Sequence, residues 1–367
     1  MAEEQELQKR STRSRLFELD ALRGLAAVTV VTHHFRYAFD FTPTPWYWLP
    51  FDAGRQAVVL FFVLSGYVLS MPYWRGRQAH YVEYLLRRFC RIYLPFAAAA
   101  TLSIAGAWLF RGRHLPLSEW FNNTWQQPIT GRLLIEQYLM FPVVVFNVAF
   151  WSLGFEMQMS IVMPLLSNLL RRWNAPLVSA LMALIAFGIP GRLHLHEGYL
   201  LRSLQIATLF ALGATLAGYQ ERLTNWLEGK QAMSWVLLLT GVLLYYNVPD
   251  HFAYGRLLGK IVASSDFISG IGAAAVIVSS LTLRPLSRFL RHSSLEYLGR
   301  ISYSLYLVHS ITLFSVLDIL FGKISRPALA IIFALTTLIA AHLFCITIEE
   351  PSIRLGKRLQ GRWPKPA

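Results

Sequence analysis

LDALRGLAAVTVVTHHF, residues 19–35, sets Arg23 and His34 eleven positions apart in a run otherwise apolar enough to cross a bilayer. At about 100° and 1.5 Å per residue, eleven residues close almost three helical turns, so the two side chains share a helix face and stand about 16 Å apart along it. An ionisable group inside a span costs at least ~2.5 kcal/mol unless it pairs or lines a wet cavity, so two on one face point to a site. The residues alone also admit a plainer reading. In it, Arg23 snorkels or pairs with Asp20 one turn earlier, and His34 is a neutral core imidazole.

The rest of the chain is built from similar runs. Of 367 residues, 55% are hydrophobic and 15% charged, and mean hydropathy is +0.42, which a soluble domain of this length rarely reaches. About ten runs predict transmembrane helices, at 22–41, 57–74, 90–110, 152–170, 175–190, 201–219, 232–248, 261–283, 297–320 and 327–348. The stretch 133–149 is interrupted by Glu136, Pro142 and Asn147 and reads as re-entrant or interfacial. The expected fold is an all-α polytopic transmembrane helical bundle over residues 17–358. A disordered tail at 1–16 precedes it and a short tail at 359–367 follows.

Lys and Arg number 34 against 20 Asp and Glu, an excess that in a soluble protein would suggest nucleic acid. Their placement argues otherwise. Arg10, Arg75, Arg77, Arg171, Arg172, Arg288, Arg291 and Lys357 crowd one set of alternate loops, while the other set holds few basic residues, among them Arg55, Arg111 and Arg113. This is the positive-inside pattern, which predicts cytoplasmic N- and C-termini in a plasma (inner) membrane and makes nucleic-acid binding unnecessary. Cys90 and Cys345 fall inside predicted spans without metal-ligand spacing, so neither a metal site nor a disulfide is expected.

Four further stretches carry polar residues at membrane depth. In FFVLSGYVLS, Ser65 and Gly66 suit close helix packing. EYLLRRFCRIYLP places Arg88 and Arg91 three residues apart, so their guanidinium forks project from one helix face, an arrangement that grips phosphate as well as it marks a cytoplasmic flank. WSLGFE brings Trp151 and Ser152 to the outer boundary with Glu156 about a turn deeper, in the half of the membrane that His34 should reach. ISYSLYLVH holds Tyr303, Tyr306 and His309 within two turns. The connection at 111–151 contributes Trp120, Trp125, Asn122 and Asn123 on the outer side, where they suit either a sugar face or an interfacial aromatic belt.

Together these stretches resemble the acyltransferase-3 family of integral membrane O-acyltransferases. The resemblance rests on the Arg-x10-His spacing of Arg23 and His34, on FFVLSGYVLS, on Arg88-x-x-Arg91, on WSLGFE and on ISYSLYLVH with a closing EEP, and it runs from about residue 17 to 358. It implies transfer of an acyl group, acetyl first among candidates, from cytosolic acyl-CoA to a hydroxyl of an envelope glycan, glycolipid or small acceptor. The acyl-CoA acts as co-substrate, with no permanently bound cofactor. It further implies His34 as the catalytic histidine, with Arg23, Arg88 and Arg91 on the acyl-donor side. His33 duplicates the histidine, and motif spacing selects His34. The pantetheine arm of coenzyme A has a length similar to the 16 Å or so between Arg23 and His34. In this scheme Glu156 orients or stabilises the His34 ring, while Trp151, Ser152, Tyr306 and His309 support the acceptor side. The rival reading is a proton- or ion-coupled secondary transporter relaying protons through His34, Glu156 and His309.

Overall fold

The computed structural model describes residues 2–39, 49–77, 80–141, 144–190, 198–246 and 265–360, with side chains from Phe17 onward. Among these residues there are helices and no strands. Helix α1 runs Ala2–Ala38 and takes in the polar stretch before residue 17. After the single turn Leu49–Asp52 come α2 (Gly54–Trp74), α3 (Tyr81–Phe110), the short α4 (Glu119–Asn123) and α5 (Gly131–Tyr138). Next come α6 (Phe150–Arg172), α7 (Ala175–Gly188), α8 (Tyr199–Leu227) and α9 (Gln231–Tyr245). The chain closes with α10 (Ser265–Thr282), α11 (Arg284–Leu290), α12 (Ser293–Leu320) and α13 (Arg326–Leu359).

Six of these, α2, α3, α6, α8, α12 and α13, are long and apolar enough to cross a membrane, and α10 with α11 makes a seventh if that pair is one span bent by 95°. Pro285, at the start of α11, has no N–H to carry the α10 ladder onward, which accounts for the bend. The shorter apolar helices α7 and α9 fall below spanning length, and α1, with Arg23, His33, His34 and Arg36 along it, is outside the six. In the stretch after residue 133, α5 stops at Tyr138 and the described residues between it and α6 are not helical, while Pro142 lies outside the described residues.

The helices group into two compact units. The first comprises Met1–Ala26, Arg55–Gln78 and Val162–Arg300, and the second Ala27–Gly54, Ala79–Ile161 and Ile301–Ala367. In the first, α2 and α8 touch backbone to backbone at reciprocal glycines. A Cβ at Gly66 would lie 2.1 Å from the Phe210 carbonyl oxygen, and one at Gly213 would lie 2.0 Å from that of Val63. The Tyr67 hydroxyl then donates to Gln220 across the same pair. Asp266, 2% exposed, accepts from Arg55 Nε at 2.6 Å and from Arg202 Nη1 at 2.7 Å, so its charge is matched inside this unit.

The second unit holds α3 through the first half of α6, the C-terminal part of α1, α12 from Ile301 onward and α13. Its interior is tied by Asn147, whose amide donates to Ser103 Oγ at 3.2 Å and to the Leu307 carbonyl at 3.0 Å. Two π-helical turns, Phe89–Tyr93 within α3 and Cys345–Glu349 within α13, break regular helix here. Residues Tyr303 and Ser304 of α12 reach one each: the Tyr303 hydroxyl donates to the Ile92 carbonyl at 2.8 Å, and Ser304 donates to the Glu349 carboxylate. Such turns leave carbonyls out of the ordinary ladder, and Tyr303 satisfies one of them.

Candidate active site

In the second unit His34 lines a cavity of about 460 Å³, together with Trp120, Asn123, Thr124, Gln127, Val144, Val145, Val148 and Trp151. Among the described lining residues His34 is the one with an ionisable side chain. Its ring lies nearly parallel to that of Trp120, with centroids 5.6 Å apart. His34 Nδ1 is 2.8 Å from Nε2 of His309, which is fully buried. Nδ1 of His309 in turn meets the Tyr306 carbonyl oxygen at 2.8 Å.

Ser152 anchors this arrangement from α6. Its hydroxyl lies 2.7 Å from that of Tyr306, and the Tyr306 hydroxyl donates to the Ala149 carbonyl at 3.0 Å. The turn of α12 that carries Tyr306 is thereby fixed against the start of α6. The glycine two residues on, Gly154, is required by close approach, because a Cβ there would stand 2.3 Å from the Met140 carbonyl oxygen.

His33 sits elsewhere. Its Nδ1 approaches the Asp52 carbonyl oxygen at 2.8 Å and the Asp52 carboxylate at 3.0 Å, and Arg36 Nη1 pairs with the same carboxylate at 2.7 Å. Thr32 adds a hydrogen bond to the Phe51 carbonyl at 2.8 Å. This cluster fastens the chain after residue 49 onto α1 and turns His33 away from His34's partners.

Glu156 is joined to Arg88 rather than seen on the His34 ring. Arg88 Nη2 donates to its carboxylate at 3.1 Å, and Arg88 Nε donates to Ser160 Oγ at 3.0 Å. Arg132 pairs with Glu136 at 2.7 Å. Arg91 projects from the first π-turn, exposed, and its charge acts on Glu349. Arg23 belongs to the first unit, where Nη1 pairs with Asp20 at 3.0 Å.

Sequence reasoning set Trp151, Ser152, Tyr306 and His309 on the acceptor side of the catalytic histidine, and these four lie with His34 around the cavity and the hydrogen-bond chain behind it. It missed Thr124 and Gln127 on the cavity wall and Asp52 as the holder of His33, since none stands in a patterned stretch. Trp125 and Asn122, considered as a sugar platform, are instead buried. Trp125 donates from Nε1 to the Phe146 carbonyl at 2.7 Å, and the Asn122 amide binds the carbonyls of Leu115, Leu117 and Ser118.

Comparison with curated proteins found no match, and comparison with solved structures found none either. A family model described as an acyltransferase domain, that of the acyltransferase-3 family, matches residues 16–348. The chain therefore belongs to that family and is a membrane acyltransferase, not the coupled transporter that its histidines and carboxylate also allowed.

Proposed function

We propose that the enzyme moves an acyl group, acetyl first among candidates, from cytosolic acyl-CoA to a hydroxyl of an envelope glycan, glycolipid or related small acceptor in the plasma (inner) membrane, with both termini cytoplasmic. His34 is the general base. The observation that carries this reading is the position of His34 on a cavity walled by two tryptophans and two side-chain amides. Aromatic faces beside amides suit a hydroxylated ring, and an imidazole suits removal of a proton from one of its hydroxyls.

The hydroxyl oxygen attacks the thioester carbonyl as His34 takes the hydroxyl proton. The C–S bond then breaks, and the proton passes from His34 to the leaving thiolate. Acyl-CoA and alcohol become ester and coenzyme A with nothing left over. Arg91, exposed at the π-turn, and Arg88 beside it are assigned to the donor's phosphates, with Glu156 holding Arg88 in place. Arg23 is assigned to the donor on sequence spacing alone.

The test is mass spectrometry of envelope glycans and glycolipids from cells expressing the wild-type protein, His34→Ala or neither. Ester-linked acyl groups present with the wild type alone are expected. Equal acylation with His34→Ala would overturn the assignment of the base.

A further inference from the structure

We infer that His309 is a positioning residue that fixes His34 in the tautomer protonated on Nδ1, which leaves Nε2 of His34 as the atom that takes the acceptor's proton. The inference rests on the reading of His34 as the base and names both the atom and what selects it.

A backbone carbonyl can only accept a hydrogen bond. Nδ1 of His309, 2.8 Å from the Tyr306 carbonyl oxygen, therefore carries a proton. A neutral imidazole has one N–H, so Nε2 of His309 presents a lone pair. His34 Nδ1, 2.8 Å from that lone pair, must donate to it. Once Nδ1 of His34 holds the single proton of its own neutral ring, Nε2 is bare. The hydroxyl of Ser310, 3.4 Å from the same His309 nitrogen, can only donate toward it and leaves the assignment unchanged.

The ring geometry agrees. The two imidazole planes differ by 8° and their centroids are 5.1 Å apart. With a 2.8 Å contact between nitrogens, that separation means the rings meet edge to edge in nearly one plane, not face to face. The His34 N–H then points along the His309 lone pair, the geometry in which such a bond is strongest.

A neutral partner suits this location. A carboxylate in place of His309 would orient His34 equally well, but it would place an ion in a fully buried position. The imidazole holds the tautomer without that cost. When Nε2 of His34 takes the acceptor's proton, the existing bond to His309 becomes charge-assisted, so the second ring stabilises the imidazolium as it forms. The path back to the fold is short, because the helix turn that offers the Tyr306 carbonyl is the one pinned to α6 by Ser152.

Three substitutions at one position separate this role from packing. The amide oxygen of Gln can reach the place of Nε2 and accept from His34, whereas that of Asn mimics Nδ1 and falls short. We expect His309→Ala and His309→Asn to lower kcat about 30- to 100-fold with the KM for acetyl-CoA changed less than twofold, and His309→Gln to recover most of the loss. Nitrogen-15 NMR of histidine-labelled wild-type protein in proteoliposomes should show His34 protonated at Nδ1 and bare at Nε2. Equal loss in the Gln and Asn variants, or a His34 ring protonated at Nε2 in the wild type, would overturn the inference. His34→Ala is the control for the underlying reading. If it is inactive while the His309 variants all behave alike, only the role of His309 fails. If it is active, the assignment of the base fails first.

Discussion

At the scale of single residues, the two arginines of the Arg-x-x-Arg pair sit in different surroundings. Arg88 has 11% of its side chain exposed and is bound to Glu156 and Ser160, so much of its charge is already matched. Arg91 stands exposed one π-turn later. On the proposed donor assignment, Arg91→Ala should weaken acetyl-CoA binding about tenfold, the worth of one charged contact. Arg88→Ala should weaken donor binding as well and in addition destabilise the protein, because it strands the Glu156 carboxylate. The loss of stability should be about 1–3 kcal/mol, below that for a fully buried pair because Glu156 keeps some access to water. Calorimetric titration with acetyl-CoA and chemical denaturation in detergent measure the two effects. Donor affinity unchanged in Arg91→Ala would remove that residue from the donor site. The partner of Glu156 was open in the sequence because it lies 68 positions away, and the partner of His34 because it lies 275 positions away. Spacing within one helix shows which side chains share a face, but not what a second helix brings to that face.

At the scale of helices, apolar runs were legible wherever they were long and uninterrupted, as in α2, α8 and α13. They were less so where the chain bends or stops early. The run at 261–283 continues past its break into α11, and those at 175–190 and 232–248 match helices shorter than a full span. The small residues of FFVLSGYVLS were read as a packing device, and the contact of Gly66 with the Phe210 carbonyl is that device. Replacing Gly66 by Ala sets two effects against each other. Alanine favours the helix by about 1 kcal/mol, while forcing a methyl group into backbone costs about 2–3 kcal/mol or more. The net expectation is destabilisation by about 1–2 kcal/mol, seen as a lowered thermal unfolding midpoint in detergent, and an unchanged midpoint would mean that α2 and α8 part easily at this crossing.

At the scale of the molecule, the basic loops imply a direction. Acyl-CoA should react in oriented proteoliposomes only from the side bearing the C-terminal tail. A cysteine at exposed Glu119 should be labelled by an impermeant maleimide only from the opposite side. Asn122, which the sequence alone would recommend for labelling, is buried and would report nothing. Labelling of Glu119→Cys from the donor's side would contradict the expected topology.

The central claim is that acyl transfer by this family member runs through His34. The most direct measurement is release of coenzyme A from labelled acetyl-CoA by purified wild-type, His33→Ala and His34→Ala proteins at saturating donor, alongside donor affinity for each. The account predicts that His34→Ala binds acetyl-CoA normally yet releases thiol at least 100-fold more slowly, while His33→Ala, which loses the tie to Asp52, keeps most of its rate. A His34→Ala protein that turns over at the wild-type rate, or equal losses in the two variants, would contradict it.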